Sequence, residues 1–260
     1  MINLDLIKSG TLPKDNEFLW RYFDIHKFLN LLKKKRFRYS RMDQFEDPLE
    51  GVPYEYLFQF VLRNRIPEFN LATVILNHTE KLQFSEPIIS GRLNKILRIQ
   101  AIHFVSCWFC EQRESLAMWN LYSNVDGVAL KIPFGKLKSH LFPQIDEKRI
   151  QDYYCGKVNY QDFRNENPYP DGNLAKIGKV ALRKDKSFNH EKEIRFVIKL
   201  KAIEDNVTGI ESAQINLNDL NLKVVCHPKM IPWKRENIKR ILSDAKLASS
   251  YEESEIVLRY

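Results

Sequence analysis

The sequence predicts an α+β fold in which a mixed, mostly antiparallel sheet carries a helical insertion, all within one domain spanning residues 1–260. Short runs of β-branched and aromatic residues recur along the chain and are typical of strands. Stretches with helical spacing of apolar residues separate several of these runs. Residues 52–100 show no strand-like alternation, and this predicts that helices are inserted there between strands.

The composition suits a folded protein of the cytoplasm. Hydrophobic residues make up 44% and aromatic residues 12% of the chain, which is enough to build a core. No apolar run approaches the length needed to cross a membrane, and the N-terminus lacks the pattern of a secretory signal. The four cysteines are too few for a disulfide scaffold. We therefore predict a cytoplasmic location and no membrane partner.

The net charge of +8 favours an anionic partner, such as a nucleic acid or a phosphate-bearing cofactor. The densest basic stretch is Lys33–Arg38. Such a run is typical of a solvated helix end, where cations also suit the helix dipole. Direct contact of this run with nucleic acid is the alternative interpretation.

The N-terminal part of the chain is predicted to alternate between strands and one helix. A strand at 18–23 is followed by a helix that Asp24 caps, and a second short strand follows at 36–40. Asp47-Pro48 and Gly51 then break regular structure, which predicts a loop. This loop carries four carboxylates, those of Asp43, Glu46, Asp47 and Glu50.

Elements of both kinds continue after this loop. Pro67, Pro87 and Gly91 divide the predicted insertion into about three helices. The later helices are predicted at 114–122, 134–142, 174–182 and 233–247. The later strands are predicted at 101–110, 128–132, 153–161, 193–200, 214–217, 222–226 and 255–260.

The strand that begins at Glu193 is the most informative of these. Its even-numbered residues are apolar, so Glu193 and Arg195 fall on the opposite face, with Glu191 just before them. Two carboxylates this close repel each other when both are ionised and dry, unless a cation or an electron-poor ligand lies beside them. The alternative is a solvated strand face with local ion pairs.

Two patterns bear on metal binding. Cys107 and Cys110 match a CxxC motif, but on a strand they point to opposite faces and no second pair exists, so we predict no zinc site. The carboxylate loop at 42–51 offers the oxygen ligands that Mg²⁺ prefers, as a metal-dependent nuclease would require. Ordinary turn chemistry explains the same loop, and we expect no metal there.

Several stretches together resemble the bacterial domain-of-unknown-function 2971 family, and the resemblance spans nearly the whole chain. That family brings no settled activity. The matching stretches are Leu19–Tyr22, Tyr39–Arg41, Phe45–Gly51, Val105–Trp108, Glu114–Tyr122, Gly127–Leu130, Phe188–Arg195 and Val224–Pro228, with Trp233.

The order of a few residues is also similar to ADP-ribosyltransferases of the Arg–Ser–Glu type. The matching positions are Arg21 on a first strand, Ser106 on a later strand, with Ser40 as its competitor, and Glu191 with Glu193. Here Cys-Trp follows Ser106, where that type has a hydroxyl-rich triplet.

This second resemblance implies NAD as the cofactor and assigns a role to each matching residue. Arg21 and Ser106 would bind NAD, with Arg21 holding its pyrophosphate, and the rings of Trp119 and Tyr122 would hold nicotinamide. Glu193, with Glu191, would stabilise the positive charge that develops on the ribose.

The leading expectation is therefore an ADP-ribosyltransferase-like enzyme that modifies a nucleic acid or a protein, in bacterial defence or as a toxin. The alternatives are a Mg²⁺-dependent nuclease centred on the carboxylate loop and a non-catalytic binding module. We expect one pocket to gather the residues singled out here, namely Arg21, Asp47, Glu50, Trp119, Tyr122, Glu193 and Arg195.

Overall fold

The computed structural model of the protein describes residues 3–7, 12–47, 50–51, 97–162, 179–204 and 206–258. The predicted helical insertion at 52–100 lies almost entirely outside these residues. Its last residues are described, and residues 97–102 are helical. The predicted helix at 174–182 is described only at its end, where Val180–Leu182 form a 3₁₀ turn.

The described residues form twelve strands and four labelled α-helices. The strands are β1 Asp5–Ile7, β2 Phe18–Phe23, β3 Arg38–Arg41, β4 His103–Cys110, β5 Val128–Pro133, β6 Ile150–Lys157, β7 Asn159–Gln161, β8 Arg183–Asp185, β9 Glu193–Leu200, β10 Gly209–Glu211, β11 Lys223–Cys226 and β12 Tyr251–Glu252. The helices are α1 Ile25–Lys34, α2 Leu116–Tyr122, α3 Phe134–His140 and α4 Pro232–Asp244.

A large sheet organises the described residues, with strand order β1-β6-β9-β4-β2-β5-β11-β12. The pairs β1–β6 and β11–β12 are parallel, whereas the other pairs along this order are antiparallel. Strands β7 and β8 form a separate parallel pair. The prediction of an α+β fold with a mixed, mostly antiparallel sheet is confirmed.

The sheet divides beside β4. Near its end, β4 pairs with β2 through Cys110 and Phe109, whereas Val105 and Phe104 near its start pair with β3. Between these two sets of pairs, β2 and β3 diverge and leave a gap next to Ser106–Trp108. On its other side β4 pairs with β9 over seven consecutive residues, so this part of the sheet is firmly held.

Three buried clusters cover the two faces of the sheet. The largest includes apolar residues of α1, α3 and α4 and the even-numbered residues of β9, so these helices share one face. On the opposite face, α2 packs over β2 through Met118 and Trp119. A third cluster on that face includes Val105 and Val197, over β4 and β9.

Helix α1 shows how local sequence determines the boundary of an element. Asp24 caps its first turn, where one carboxylate oxygen accepts a hydrogen bond of 2.8 Å from the Lys27 N–H. The helix ends at Lys34, and the next residue, Lys35, has a left-handed backbone with φ of 56°. The start of the basic stretch therefore forms an exposed helix end, as predicted, and Arg36 follows it.

Three smaller predictions are wrong. Residues 214–217 form no strand, and the strand of that region is β10 at Gly209–Glu211, which pairs with β3. Residues 255–258 form no strand, and β12 is the last strand of the described residues. Residues 101–102 end a helix instead of beginning β4. These segments are short, and their partner strands rather than their own side chains decide which residues pair.

No helix of the described residues is both long and apolar enough to cross a membrane.

Candidate functional site

A cavity of about 470 Å³ lies at the gap between β2 and β3. Residues of β2, β3, β4, β9, α1 and α2 contribute to its wall, together with the 3₁₀ helix Lys186–Glu191. Its size falls within the range of small-molecule sites in proteins, roughly 300–1,000 Å³. Because six main elements meet here, residues far apart in sequence share one wall.

Arg21 is fixed at this gap by contacts on several sides. Its Nη1 donates a hydrogen bond of 2.8 Å to Ser106 Oγ, and its Nη2 donates one of 3.3 Å to the Arg38 carbonyl. Its guanidinium carbon lies 5.5 Å from the centre of the Phe23 ring and 5.4 Å from that of Trp108. The guanidinium group therefore joins β2 to β3 and β4 and presents its remaining donors to the cavity.

The Ser106 side chain is fully buried and acts through Arg21. Its hydroxyl oxygen also accepts a hydrogen bond of 3.1 Å from Trp108 Nε1. Ser40, the competing serine, lines the cavity but makes no hydrogen bond to Arg21 among the described residues. Of the two serines, Ser106 is therefore the one that positions the arginine.

Arg195 is the centre of a buried ion cluster and is itself fully buried. Its Nε donates a hydrogen bond of 2.5 Å to Glu193, and its Nη2 donates bonds of 2.6 and 3.1 Å to the two carboxylate oxygens of Glu50. Its Nη1 donates to the Ala181 carbonyl at 3.0 Å. The fork of the guanidinium group thus fixes two carboxylates at once.

A second set of contacts extends the cluster toward the cavity mouth. Glu191 accepts one hydrogen bond from the Tyr122 hydroxyl and another from Lys184 Nζ. Lys184 Nζ also lies 3.7 Å from Glu50 and 4.3 Å from the centre of the Phe188 ring. Burial, followed by the hydrogen bond to Glu191 and its charge, raises the pKa of the Tyr122 phenol. The phenol is therefore a hydrogen-bond donor and not a phenolate.

The ion cluster holds three carboxylates, those of Glu50, Glu191 and Glu193, against two cations, Lys184 and Arg195. All five residues are buried, so the interpretation of this strand face as solvated is wrong. Burial raises the pKa of Glu50 although Arg195 and Lys184 lower it. Burial lowers the pKa of Lys184, but neighbouring carboxylates raise it more, so the net shift is upward. With every group ionised, the cluster has one excess negative charge.

Arg21 and the buried ion cluster reach the cavity from opposite faces of the sheet. On β2, Arg21 points to the same face as Leu19 and Phe23, which belong to the core that includes α1. On β9, Glu193 and Arg195 alternate with residues of that core and point to the other face. The gap between β2 and β3 connects the two faces, and a ligand that contacts both Arg21 and Glu193 has to extend through it.

The structure brings most of the predicted site residues together and leaves three behind the wall. Those that line the cavity are Arg21, Asp47, Tyr122, Glu191, Glu193 and Arg195. Glu50 and Ser106 lie directly behind it and hold Arg195 and Arg21, respectively. Trp119 is fully buried and packs against Tyr22 and His227, with ring-centre distances of 4.9 and 5.0 Å. It supports the wall and offers no face to a ligand.

Sequence reasoning missed several residues of the site. Lys184 lies on β8, a strand of three residues that exists only because it pairs with β7, so no local pattern indicates its role. Phe188 begins the stretch Phe188–Arg195 that resembles the family. No sequence pattern, however, predicted that its ring would lie beside Lys184. Arg36 and Arg38 line the cavity, although the charge run that contains them predicted a solvated helix end. Alternation with the buried Tyr39 was the one available signal for Arg38.

The carboxylate loop does not gather its side chains at one point. Asp43 accepts a hydrogen bond of 2.8 Å from Arg41, whereas Glu50 is bound to Arg195. Within the described residues, no group of three or more histidine, cysteine, aspartate or glutamate side chains is placed to share a metal ion. Cys107 and Cys110 are free thiols on opposite faces of β4, as predicted, and Cys107 lines the cavity.

Comparison with known proteins matches part of the chain to a protein family. Residues 118–196 match the family model described as "Protein of unknown function (DUF2971)". This match supports the resemblance to that family over α2 to β9, which includes Tyr122, Lys184 and the two glutamates of the site. No curated protein and no solved structure matches the chain significantly.

Proposed function

We propose that the protein is an ADP-ribosyltransferase-like enzyme that uses NAD to modify a nucleic acid or a protein. The observation that carries the proposal is the position of Glu193. Its carboxylate lines a cavity of ligand size, on a strand that the sheet holds on both sides, and Arg195 fixes one of its oxygens. The other oxygen has no hydrogen-bond partner among the described residues and is available to a ligand.

The residues present fit NAD in charge and in shape. A pyrophosphate needs cations, and Arg21 presents a fixed guanidinium group at the gap. A nicotinamide ring is flat and positively charged, which suits the aromatic side chains of Tyr122 and Phe188 beside the excess carboxylate charge. The distribution of charge across β4 therefore matches a ligand that is anionic in the middle and cationic at one end.

The reaction supplies an ADP-ribosyl group to the acceptor. The bond between ribose C1′ and the nicotinamide nitrogen breaks with its electron pair passing to that nitrogen, a nucleophilic atom of the acceptor bonds to C1′, and its proton is released to solvent. Positive charge develops on the ribose as the first bond breaks, and the Glu193 carboxylate stabilises it. Arg195 and the β9 backbone hold this carboxylate in place beforehand, so little rearrangement is needed.

Nicotinamide release by the wild type and by Glu193→Gln tests the proposal. The substitution keeps the size of the side chain and removes its charge, so turnover should fall about a hundredfold or more while NAD affinity changes little. Glu111→Gln is the matched control, because Glu111 is an exposed partner of Lys192 on the surface and should leave turnover unchanged.

Three outcomes bear on the alternatives. Absence of both nicotinamide release and NAD binding in the wild type would overturn the proposal. NAD binding without release would favour a binding module. Mg²⁺-dependent cleavage of nucleic acid would favour the nuclease. No contact among the described residues supports that alternative. A setting in bacterial defence or toxin action rests on analogy and belongs to the same proposal.

A further inference from the structure

Strand β6 ends just before it completes its pairing with β9. Lys157, the last residue of β6, pairs with Ile194, so the next rung of the ladder would join Val158 to Glu193. The Val158 N–H does donate a hydrogen bond of 2.9 Å to the Glu193 carbonyl. In a regular antiparallel pair the Glu193 N–H would donate in return to the Val158 carbonyl. Its partner in the structure is instead a side chain.

The hydroxyl group of Tyr160 takes the place of that carbonyl. Its oxygen accepts a hydrogen bond of 2.9 Å from the Glu193 N–H. Tyr160 lies on β7, where the chain has left the large sheet and pairs in parallel with β8. Burial, followed by the charge of Glu193, raises the pKa of the Tyr160 phenol, so the acceptor is a neutral hydroxyl. The first N–H of β9 is therefore held by a side chain from a different sheet.

The β7–β8 pair contacts both glutamates that line the cavity. Tyr160 and Lys184 are directly paired across the two strands, so their side chains project from the same face of the pair. Lys184 Nζ donates a hydrogen bond to the Glu191 carboxylate, and Tyr160 binds the main chain of Glu193. The small sheet thus braces one glutamate through its side chain and the other through its backbone.

We infer that Tyr160 is a positioning residue whose hydroxyl holds the main chain of Glu193, and with it the carboxylate at the cavity wall. Arg195 fixes the far end of the Glu193 side chain, whereas Tyr160 fixes the backbone from which that side chain starts. Both ends have to be held for the carboxylate to be in place before a ligand binds. The effect of this anchor on turnover rests on the proposed function, but the anchor itself does not depend on NAD.

Nicotinamide release by Tyr160→Phe tests the effect on turnover. The substitution keeps the ring and removes one oxygen atom, which leaves the N–H of the buried Glu193 without its acceptor and should loosen the start of β9. We expect kcat to fall about tenfold or more while KM for NAD stays within about twofold. A small displacement of a charge-stabilising group matters mainly in the transition state, which explains this difference between kcat and KM.

Residue-resolved hydrogen exchange tests the anchor without any ligand. In the wild type, the Glu193 amide should exchange about as slowly as the amide of Arg195, which the ladder pairs with Gly156. In Tyr160→Phe, exchange at Glu193 should become about tenfold faster or more, and exchange at Arg195 should change less, because only the last rung has lost its acceptor.

Tyr154→Phe is the matched control. Tyr154 lies on β6 and is buried, and its hydroxyl has no hydrogen-bond partner in the described part of the chain. Loss of this oxygen should therefore leave kcat, KM and the exchange at Glu193 within about twofold of the wild type. Circular dichroism establishes that each variant is folded, and the wild-type exchange rate tests the anchor even where a variant does not fold.

Three results would overturn the inference. One is exchange at Glu193 in the wild type as fast as that of an unprotected amide, and another is equal behaviour of Tyr160→Phe and Tyr154→Phe. A third is a rise in KM with unchanged kcat, which would make Tyr160 part of NAD binding. Absence of nicotinamide release in the wild type would instead reject the proposed reaction, and slow exchange at Glu193 that depends on Tyr160 would then retain the anchor.

Discussion

Arg195→Met removes the cation that holds the buried ion cluster together. Methionine fills much of the same space with an unbranched apolar chain, so the substitution removes charge and hydrogen bonds more than volume. It deletes the bonds of 2.5 Å to Glu193, 2.6 and 3.1 Å to Glu50, and 3.0 Å to the Ala181 carbonyl. Of the cations in the cluster, only Lys184 remains to compensate three buried carboxylates.

The expected loss of unfolding free energy is about 3–5 kcal/mol near neutral pH, which is typical when one partner of a buried ion pair is removed. Arg195 is fully buried, so solvent screening does not reduce this figure. For a chain of this length the loss corresponds to a fall in melting temperature of roughly 6–20 °C. Folded proteins are typically stable by about 5–15 kcal/mol, so this loss is a large part of the total free energy of unfolding.

The loss should depend on pH in a defined direction. In the wild type, burial raises the pKa of Glu50, and Arg195 and Lys184 lower it in part. Without Arg195 that pKa rises further, so the folded state binds a proton that the unfolded state has already released at the same pH. Stability from this proton is present below the unfolded pKa and is lost as pH rises through the folded pKa. Arg195→Met should therefore be closer to the wild type at about pH 5 than at about pH 8.

Urea unfolding followed by circular dichroism measures both effects, with Arg149→Met as the control. Arg149 contacts one glutamate, Glu204, through Nε and Nη2, but its side chain is about half exposed, so its loss should reduce stability by less than about 1 kcal/mol. Equal stability of the two variants would refute the account of the cluster. A deficit of Arg195→Met that grows on acidification would refute the assigned sign of the pKa shift.

Two further predictions concern Ser106 and the cysteines. Ser106→Ala removes the hydroxyl that holds Arg21 and leaves Trp108 Nε1–H buried without its acceptor. It should therefore weaken NAD binding and reduce stability by about 1–3 kcal/mol, whereas Ser40→Ala should do neither. Purified protein should contain no zinc, because Cys107 and Cys110 point to opposite faces of β4, and stoichiometric zinc by elemental analysis would contradict this.

The local patterns of the sequence predicted most of the fold. Asp24, the apolar spacing of α1 and the alternation in β9 are signals that lie within a few residues of one another, and the structure follows them. The wrong predictions concern segments whose pairing is decided from a distance. β12 pairs with β11, and β10 pairs with β3, which lies about 170 residues earlier in the chain.

The candidate site was predictable in composition but not in geometry. The alternation in β9 places Glu193 and Arg195 on one face, but it does not reveal that Glu50 and Lys184 cover that face and make it a buried cluster. Nor does any local pattern show that β2 and β3 separate beside Ser106. Trp119 illustrates the converse case, because an aromatic residue near a cavity packs in the core as readily as it lines the wall.

The ion cluster is better explained by the cavity than by stability. Apolar side chains of similar volume commonly replace buried ion clusters with no loss of stability, since desolvation of the charges opposes their attraction. The backbone ladders of β9 with β4 and β6 do not need the charges of Glu193 and Arg195. What the charges provide is a carboxylate fixed in place at the wall of a cavity before any ligand arrives. The gap between β2 and β3 supplies the second requirement, because it allows one ligand to contact both this carboxylate and Arg21 on the other face of the sheet.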